Sequence, residues 1–481
     1  MLFVWRLASM QTDAPAVAEA WGFRVVSEIV RRRPRRSPRS PHRALDAMAE
    51  RVHGSEVMRT ELSITDAARE APDRIAIETP SRSLTFAACA AAIEAIPPAA
   101  AIVATPAIET VLAVYAALAA RRPIALLHHR LADGEAERQR AVVEAADLPA
   151  GAAVILFTSG STGAARGVVL SRAALVAAAN ASAHHLGWRD DDRWLLALSL
   201  AHAGGLSIVI RCLAGRRPIA LCDHDFDREL VARRLARCTL ASLVPTQLAA
   251  LLDDPAWRPP AGLRAVLLGG AAAPPALLAR AADRSVPFLT TYGMTEALGQ
   301  LATAPLDRAG DPRAPLVPLD GVALEAGTAV APAPIVVRGP MLATRYLDGA
   351  PIAPAFTTAD LGSLDGGVLQ VAGRSDDVII TGGENVHPQA IEAVLAATPD
   401  VHAACAFGVR DERWGQVVAA ALVVGPAFDA GAAAARWHAA LPAHARPRRL
   451  ARCAALPLLP SGKVDRRAAA ALPATPIDYA R

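Results

Sequence analysis

Long apolar runs are missing from this sequence. Its 481 residues contain no stretch of about 18 consecutive apolar residues, the length that a helix needs to span a bilayer. The apolar opening "MLFVWRLASM" is interrupted too early for a signal peptide. We therefore expect no membrane-spanning helix.

Paired cysteine motifs are also missing. The six cysteines stand singly at positions 89, 212, 222, 238, 405 and 453, with no Cys-x-x-Cys pair and no zinc-site spacing. This pattern argues against a zinc site or a disulfide scaffold. It predicts buried thiols in a reducing, cytoplasmic compartment.

An excess of one charge sign occurs only near the N-terminus. Residues 1–57 hold ten arginines and six acidic residues, whereas the remaining 424 residues hold 40 basic and 40 acidic residues. The balanced body argues against a protein that binds nucleic acid or anionic membranes. We interpret residues 1–57 as a disordered, Arg-rich extension, with a nucleic-acid-binding or membrane-binding arm as the alternative.

What the sequence does contain is apolar material in short segments. Hydrophobic residues make up 53% of the chain but aromatic residues only 4%, so the cores must be built largely from small side chains. From residue 58 to about residue 374, short apolar strands such as "AVILF" alternate with helical stretches such as "RELVARRLARC". This alternation predicts an α/β domain of parallel sheets with flanking helices.

Two changes of pattern follow. Beyond residue 300, proline- and glycine-rich stretches with short strands predict a small β-barrel-like part of the large domain. After Arg374, the order strand, glycine-rich turn, helix, strand, strand predicts a small, separate α+β domain. The predicted organisation is an extension (1–57), a large domain (58–374) and a small domain (375–481).

One glycine-rich loop directly follows an apolar strand. "TSGSTGAARG" (158–167) lies between "AAVILF" and the predicted helix "RAALVAAANASAHHLG". Its amides and hydroxyls could surround phosphate oxygens, with Arg166 as a fork-shaped cation. The loop lacks the Gly-Lys-Ser/Thr of a Walker A motif, so the loop alone leaves phosphate binding and a plain flexible turn equally open.

Four charged residues in other loops could complete a nucleotide site. Glu296, the single acid in "TTYGMTEALGQ", suits a magnesium ligand beside phosphates. Asp360 and Arg374 suit a ribose, and Lys463 lies in a Ser-Gly turn of "LPSGKVDRR". Taken singly, each is more often an ordinary surface charge.

Five stretches, taken in order, resemble the adenylate-forming superfamily of acyl-CoA synthetases, adenylation domains and firefly luciferase. They are "TSGSTGAARGVVLS", "LLGGAAAPPALL", "TTYGMTE", "TTADLGSLDGGVLQVAGRSDDVIITGGENVHPQAIE" and "LPSGKVDRR". The resemblance covers about residue 58 to the C-terminus. It implies ATP and coenzyme A as substrates and Mg²⁺ as the metal.

The resemblance assigns roles to residues by position. The implied catalytic residues are Lys463, Glu296 as the metal ligand, Thr162 and Arg166. The implied ATP- and AMP-binding residues are Thr158, Ser159, Gly160, Ser161, Thr162, Gly163, Gly270, Ala271, Ala272, Thr291, Tyr292, Gly293, Met294, Thr295, Asp360 and Arg374.

The implied reaction has two halves. A carboxylate attacks the α-phosphate of ATP and pyrophosphate leaves, helped by Lys463, magnesium and the loop amides. The small domain then turns about a hinge at Asp376 and removes Lys463. The same motion brings Gly382 and Gly383, which leave room for the pantetheine arm of CoA, to the acyl-adenylate.

Three departures from the family pattern occur. Arg166 stands where the family usually has lysine, Ala359 replaces a glycine, and Ala164-Ala165 lack the usual proline. None of these changes removes a catalytic group.

The acyl substrate is indicated by "LSLAHAGGLSIVIRCLAGRRPIAL" (198–221). His202 occupies the family's acyl-pocket position, and Gly204, Ser207 and Arg211 share one face of a predicted helix. A buried arginine requires an anion, although an arginine that reaches solvent from the helix end is slightly favoured on the residue alone. The stretch is most similar to the o-succinylbenzoate–CoA ligases of menaquinone synthesis, whose dicarboxylate substrate Arg211 would recognise.

Three alternatives remain open. The chain could be an acyl- or aryl-CoA ligase for a monocarboxylic acid, or a stand-alone adenylation enzyme that loads a carrier protein. A non-catalytic nucleotide-binding relative is a third possibility, against which Glu296, Asp360, Arg374 and Lys463 argue. Homo-oligomers are compatible with each of these interpretations.

Overall fold

The computed structural model describes residues 61–158, 165–352, 354–459 and 463–479. All of them belong to one compact unit, Met58–Arg481. The predicted extension 1–57 lies outside the described residues.

The helices of the described part are short to medium in length. They are α1 (Ile64–Glu70), α2 (Phe86–Ile93), α3 (Ile108–Ala119), α4 (Asp133–Ala145), α5 (Arg172–Leu186), α6 (Ala203–Gly215), α7 (Arg228–Leu235), α8 (Pro245–Leu252), α9 (Pro275–Asp283), α10 (Pro388–Ala396), α11 (Ala430–Ala440) and α12 (Arg466–Ala470). Short 3-10 helices span Thr295–Ala297, Leu306–Arg308 and Ala443–Ala445. No helix among the described residues is long and apolar enough to cross a membrane.

The strands alternate with these helices. The first twelve are β1 (Ile75–Glu78), β2 (Ser83–Thr85), β3 (Ala101–Ala104), β4 (Ile124–His128), β5 (Ala152–Thr158), β6 (Arg166–Ser171), β7 (Trp194–Leu196), β8 (Ile219–Leu221), β9 (Leu240–Leu243), β10 (Ala265–Leu268), β11 (Phe288–Met294) and β12 (Gly299–Thr303). The next twelve are β13 (Val317–Pro318), β14 (Ala323–Glu325), β15 (Ala333–Arg338), β16 (Arg345–Tyr346), β17 (Phe356–Asp365), β18 (Val368–Arg374), β19 (Ile379–Thr381), β20 (Glu384–Val386), β21 (Val401–Asp411), β22 (Gly415–Val424), β23 (Arg449–Arg452) and β24 (Thr475–Pro476).

A nine-stranded sheet has the order β13-β12-β11-β10-β9-β7-β8-β1-β2. Its central strands pair in parallel, as the strand–helix alternation predicts, while β2, β12 and β13 add antiparallel edges. Strands β8, β9 and β10 are buried along their whole length, which is typical of parallel strands covered by helices on both faces. The loops at the carboxyl ends of such strands are the usual place for a ligand.

A five-stranded sheet has the order β16-β6-β5-β4-β3. Strands β3, β4 and β5 are parallel, but β5 turns back through the glycine-rich loop into the antiparallel β6. The helix predicted after this loop is confirmed as α5, with Ser171 as its N-cap. The predicted loop 158–167 extends too far, because Arg166 and Gly167 already belong to β6, which continues through the fully buried Val168, Val169 and Leu170.

Helices α5 and α6 form a layer between these two sheets. α5 packs against β5 and β6 on one side and against β12 and α6 on the other. Its buried face is built from alanines such as Ala174, Ala178 and Ala181, which allow close approach. α6 is buried on nearly all sides, and this burial decides the environment of Arg211.

Two further sheets complete the unit. Strands β14, β15, β17 and β18 form a four-stranded antiparallel sheet in the part predicted to be barrel-like. Strands β19–β24 form a six-stranded sheet with α10, α11 and α12 around it and with its own core, which includes Trp437. The predicted domain boundary at residues 374 and 375 falls between these two sheets and stays a prediction.

Candidate functional site

The glycine-rich loop joins two paired strands. Thr158 and Arg166 face each other across the β5–β6 pair, and the Thr158 hydroxyl donates to the Arg166 carbonyl at 3.3 Å. The predicted phosphate-binding residues between them lie outside the described residues: Ser159, Gly160, Ser161, Thr162 and Gly163. The element that follows the loop is strand β6 and not a helix N-terminus.

Arg166 is held on two sides at the exit of this loop. Its Nη2 lies 2.9 Å from Asp348 Oδ2, and its guanidinium carbon lies 3.6 Å from the centre of the Tyr346 ring. The side chain is 44% exposed, so the ion pair with Asp348 contributes only about 0–1 kcal/mol. The guanidinium can therefore exchange Asp348 for a phosphate oxygen at small cost.

Glu296 lies on the 3-10 helix that follows β11. Its Oε1 accepts a hydrogen bond from the Tyr346 hydroxyl at 3.0 Å, and within the described ranges no other hydrogen bond or ion pair uses this carboxylate. One fixed oxygen and one unpaired oxygen fit a magnesium ligand, since Mg²⁺ takes one or two protein carboxylates and completes its shell with phosphates and water. The described part contains no cluster of three or more His, Cys, Asp or Glu that could hold a metal.

Asp360 and Arg374 face each other in the β17–β18 pair, as the predicted ribose site requires. Arg374 Nη1 donates to Asp360 Oδ1 at 3.4 Å, and the Tyr292 hydroxyl donates to Asp360 Oδ2 at 2.9 Å. Burial, followed by the Asp360 charge, raises the pKa of Tyr292, so the phenol stays a donor. Arg374 also donates through Nη2 to Asp376, the predicted hinge residue, at 2.7 Å.

Lys463 approaches this group from the C-terminal part of the chain. Burial lowers the pKa of its ammonium and Arg374 lowers it further, while Asp360 and Glu296 act in the opposite direction. Lys463 is nevertheless an exposed residue, so the surrounding protein reduces the hydration of its ammonium without removing it from water. Lys463, Arg374, Asp360 and Glu296 thus form one electrostatic group.

The residue composition carries a signal for Lys463 that the motif alone does not. Lysine and arginine together number 50, and Lys463 is the only lysine among them. Arg166, in a position where lysine is usual, follows the general replacement of lysine by arginine in this chain. Position 463 is the one place where the sequence has lysine and not arginine. The compact ammonium of lysine differs in reach and shape from the planar guanidinium of arginine.

A second wall of the site consists of bare backbone. A Cβ on Gly269 would lie 2.6 Å from Thr291 Cγ2, and a Cβ on Gly293 would lie 1.7 Å from the Gly299 carbonyl oxygen. The Thr291 hydroxyl is already paired with Thr303 Oγ1 at 2.8 Å, so Thr291 offers shape rather than a free hydroxyl. The predicted residues Gly270, Ala271 and Ala272 are exposed after β10, and Met294 and Thr295 follow Gly293 at partly buried positions.

Arg211 is buried within α6, and the alternative of an arginine that reaches solvent is wrong. Only 3% of the residue is exposed, and its Nε has no hydrogen-bond partner in the described part. Its guanidinium carbon lies 5.2 Å from the centre of the Trp194 ring. Burial lowers its pKa to about 10, so the side chain remains a cation at neutral pH. A buried cation that has no acidic partner among the described residues indicates a site for an anion.

The other predicted acyl-site residues lie at the start of α6. His202 is the N-cap residue, and its Nε2 is buried without a partner among the described residues. Burial lowers the pKa of His202 to about 4, with further contributions from His128 and Lys463, so the imidazole is neutral at neutral pH. Gly204 is exposed, whereas Ser207 is buried and donates to the Gly204 carbonyl at 2.9 Å.

The predicted CoA residues lie in a hairpin of the C-terminal part. Gly382 and Gly383 connect β19 to β20 with φ angles of +59° and +88°. A Cβ on Gly382 would lie 2.7 Å from the Trp414 ring, while nothing lies within 4 Å of a Cβ on Gly383. Among the described residues, no hydrogen bond links this hairpin to Glu296, Asp360 or Lys463.

Sequence reasoning missed three residues of the site. Tyr346 contacts both Glu296 and Arg166, and Asp348 pairs with Arg166. His128, at the end of β4, lies with its ring centre 5.0 Å from that of His202. The dipeptide "HH" after an apolar strand was a usable signal for His128. Tyr346 carried no such signal, since its neighbours are far away in the sequence.

Two family models match the chain. The model of the AMP-binding enzymes matches residues 94–347, and the model of the AMP-binding enzyme C-terminal domain matches residues 390–463. The first range contains Arg166, Glu296 and Tyr346. The second range begins within α10 and ends at Lys463.

Curated relatives and solved structures agree with these matches. A 2-succinylbenzoate–CoA ligase of Bacillus cereus is 37% identical over 291 residues, which cover 56% of this chain and 60% of the relative. A probable 2-succinylbenzoate–CoA ligase of Mycobacterium tuberculosis is 38% identical over 340 residues, or 66% of this chain and 83% of the relative. The o-succinylbenzoate CoA synthetase MenE of Bacillus subtilis, solved with the acyl-adenylate OSB-AMP, superposes with a TM-score of 0.75 at 27% identity over 84% of this chain and 96% of that chain.

Proposed function

Because the chain belongs to the AMP-binding enzyme family, we propose that it is an ATP-dependent, AMP-forming acid–thiol ligase that converts o-succinylbenzoate to o-succinylbenzoyl-CoA in menaquinone synthesis. One observation carries this proposal: the only lysine of the chain stands in one electrostatic group with Glu296, Asp360 and Arg374. The similarity to 2-succinylbenzoate–CoA ligases supports the choice of acid, although the match spans 60% of the Bacillus cereus relative.

In the first half-reaction, a carboxylate oxygen of the acid attacks the α-phosphorus of ATP, and pyrophosphate leaves. The ammonium of Lys463 neutralises charge that develops on the phosphate and carboxylate oxygens. Asp360, held by Tyr292 and Arg374, accepts hydrogen bonds from the ribose hydroxyls. Arg166 exchanges Asp348 for the departing phosphates. These residues act by position and charge, because the step needs no general base.

Glu296 would hold Mg²⁺ through the carboxylate oxygen that has no partner in the described part, and the ion would neutralise phosphate charge when bound. The Tyr346 hydroxyl orients the other oxygen of Glu296.

In the second half-reaction, the CoA thiol attacks the carbonyl carbon of the acyl-adenylate, and AMP leaves. We propose that residues 375–481 turn about Asp376 between the two steps and withdraw Lys463. The ion pair between Asp376 and Arg374 would then have to break or follow the motion. The hairpin at Gly382 and Gly383 offers backbone without side chains to the thin pantetheine arm.

Arg211 and His202 form the proposed acyl site. Arg211 is a buried cation over Trp194, and it would receive the second carboxylate of o-succinylbenzoate. The neutral His202 has an unpaired, buried Nε2 that can hydrogen bond to the substrate. An acid with a single carboxylate would leave Arg211 without an anion, and this disfavours a monocarboxylate ligase.

The cellular setting follows from the cysteines and from the substrates. All six cysteines are free, and five of them are buried. We propose a cytoplasmic enzyme, where thiols stay reduced and ATP and CoA are available. Its proposed partners are these small molecules.

The proposal is tested by pyrophosphate release from ATP across a panel of acids, with o-succinylbenzoate, benzoates and short fatty acids, with and without CoA. We expect acid-dependent release with o-succinylbenzoate, formation of its thioester only with CoA, and loss of release in Lys463→Ala. Preference for a monocarboxylic acid contradicts the substrate. Absence of pyrophosphate release with every acid contradicts the reaction itself.

A further inference from the structure

Tyr346 lies between two groups that belong to opposite sides of the nucleotide site. Its hydroxyl donates to Glu296 Oε1 at 3.0 Å, and its ring face lies 3.6 Å from the guanidinium carbon of Arg166. Glu296 comes from the segment after β11 in the nine-stranded sheet, and Arg166 begins β6 in the five-stranded sheet. One side chain thus contacts the proposed metal ligand and the cation of the phosphate loop.

The backbone around Tyr346 is fixed to both of these segments. The Ala343 amide donates to the Glu296 carbonyl at 2.7 Å, and the Leu347 amide donates to the Gly167 carbonyl at 2.7 Å. Tyr346 itself pairs with Val168 in the antiparallel β6–β16 ladder. The ring is therefore held in place by the same strand that carries Arg166, and 9% of the residue is exposed.

Packing alone does not explain a tyrosine at this position. A phenylalanine would fill the same volume and present the same ring to Arg166. The hydroxyl adds one interaction, a hydrogen bond to a carboxylate, which is stronger than a bond between neutral groups. The Tyr346 hydroxyl is also the only hydrogen-bond partner of the Glu296 carboxylate among the described residues.

We propose that Tyr346 is a positioning residue that sets the orientation of Glu296 for the metal through its hydroxyl and the orientation of Arg166 for the phosphates through its ring. The proposal rests on the proposed function only for the identity of the reaction. The effect of Tyr346 on the metal-dependent binding of nucleotide can be measured without turnover. The two contacts predict two separable effects.

The hydroxyl is tested by Tyr346→Phe, which keeps the ring. Calorimetric titration with ATP in Mg²⁺ and in EDTA measures nucleotide affinity with and without metal. We expect Tyr346→Phe to lower ATP affinity about tenfold in Mg²⁺ and to leave the affinity in EDTA unchanged, because only the orientation of Glu296 is lost. The Mg²⁺ concentration for half-maximal pyrophosphate release should rise by a similar factor.

The ring is tested by Tyr346→Leu, which removes both contacts. We expect an additional loss of about two- to fivefold in ATP affinity that persists in EDTA, because Arg166 loses the aromatic face beneath it. In a Glu296→Gln background, Tyr346→Phe should have no further effect on metal dependence, since the carboxylate that Tyr346 orients for the metal is already absent.

Tyr479→Phe is the matched control. The Tyr479 hydroxyl also donates a hydrogen bond, to the Pro447 carbonyl at 2.8 Å, but it lies in the C-terminal part away from Glu296. We expect this variant to bind ATP as the wild type does, in Mg²⁺ and in EDTA.

The inference is overturned if Tyr346→Phe keeps the metal dependence of the wild type, or if it weakens ATP binding equally in EDTA. Failure of the proposed reaction has a different signature: the wild type then binds ATP with metal but releases no pyrophosphate with any acid, and the binding measurements still decide the role of Tyr346.

Discussion

The guanidinium of Arg211 lies over the indole of Trp194, with 5.2 Å between the guanidinium carbon and the ring centre. The contact with the ring supplies part of the stabilisation that a buried cation needs, but it provides no negative charge. The helix that carries Arg211 is buried on nearly all sides, so solvent does not supply that charge either. The arrangement is suited to an anionic ligand.

Replacement of Arg211 should therefore change the choice of acid. We expect Arg211→Met to raise KM for o-succinylbenzoate at least about tenfold while KM for ATP stays within about twofold, because a buried charge pair with the substrate is lost. Steady-state pyrophosphate release measures both constants.

Two controls separate this effect from misfolding. Replacement of a buried cation by a residue of similar volume is often neutral or stabilising, so the thermal midpoint of Arg211→Met should not fall. Activity toward benzoate, which has no second carboxylate, should not fall either. An unchanged KM for o-succinylbenzoate would show that Arg211 does not contact the substrate.

Lys463 can be titrated directly because no other lysine competes for an amine reagent. Burial and Arg374 lower the pKa of Lys463, so its free amine should become available at lower pH than that of an exposed lysine. We expect the rate of trinitrobenzenesulfonate labelling to rise with pH around a midpoint below 10.5. Adenylation, which needs the ammonium, should decline over the same range.

The labelling control is Lys463→Arg, which leaves only the terminal amine to react. Subtraction of its rate gives the contribution of Lys463. A midpoint at or above that of free lysine would contradict the lowered pKa of Lys463 and its placement near Arg374.

Lys463 and Arg211 show how far the sequence could go. Motifs placed Lys463, Glu296, Asp360 and Arg374 in one site, because each motif carries its own residue signature. The burial of Arg211 depends on α6 being covered by the nine-stranded sheet and by α5, which no local pattern contains. The helical spacing could only predict the face of α6 on which Arg211 lies. Whether that face is exposed to solvent or buried is decided by the fold.

Tyr346 and β6 mark the limit of local reasoning. The contacts of Tyr346 join residues that are 50 and 180 positions away in the chain, and they arise only from the pairing of β16 with β6. The glycine-rich stretch was recognised as a loop, but "VVLS" after it belongs to a strand whose partner is β5. An interpretation based on hydrophobic periodicity detects the apolar residues of β6, but it does not reveal that β5 is the partner strand.

The neighbouring residues His128 and His202 should make the fold sensitive to acid. Burial lowers the pKa of each to about 4, from 6.5 in an unfolded chain. Between these values the unfolded chain binds more protons, so the free energy of unfolding falls as the pH drops from 6.5 towards 4. The contribution of the pair is fully present above pH 6.5, and we expect a loss of about 1–3 kcal/mol across the window.

Urea unfolding at pH 7.5, 6.0 and 5.0 measures this dependence. The charged groups that influence the pair are His129, Arg130, Asp225 and Lys463, and they are retained in His128→Asn. We expect a shallower pH dependence in His128→Asn than in the wild type. His224→Asn, at a side chain that is 76% exposed, should keep the wild-type dependence. Equal slopes in all three proteins would contradict the lowered pKa of His128.

The final prediction separates the two half-reactions at Gly382. This residue has φ +59°, and an alanine Cβ there would lie 2.7 Å from the Trp414 ring. We expect Gly382→Ala to lower the rate of thioester formation about tenfold, because the displaced hairpin narrows the path proposed for the pantetheine arm, while pyrophosphate release in the absence of CoA stays within about twofold. Single-turnover assays of pyrophosphate and of acyl-CoA measure the two steps.

Gly366→Ala is the matched control, since Gly366 has φ +56° in the turn between β17 and β18 and nothing lies within 4 Å of its Cβ position. It carries the same backbone strain, of about 1 kcal/mol, without a neighbour to displace. If both variants slow both steps alike, strain alone explains the loss, and the hairpin has no special part in the attack by the thiol.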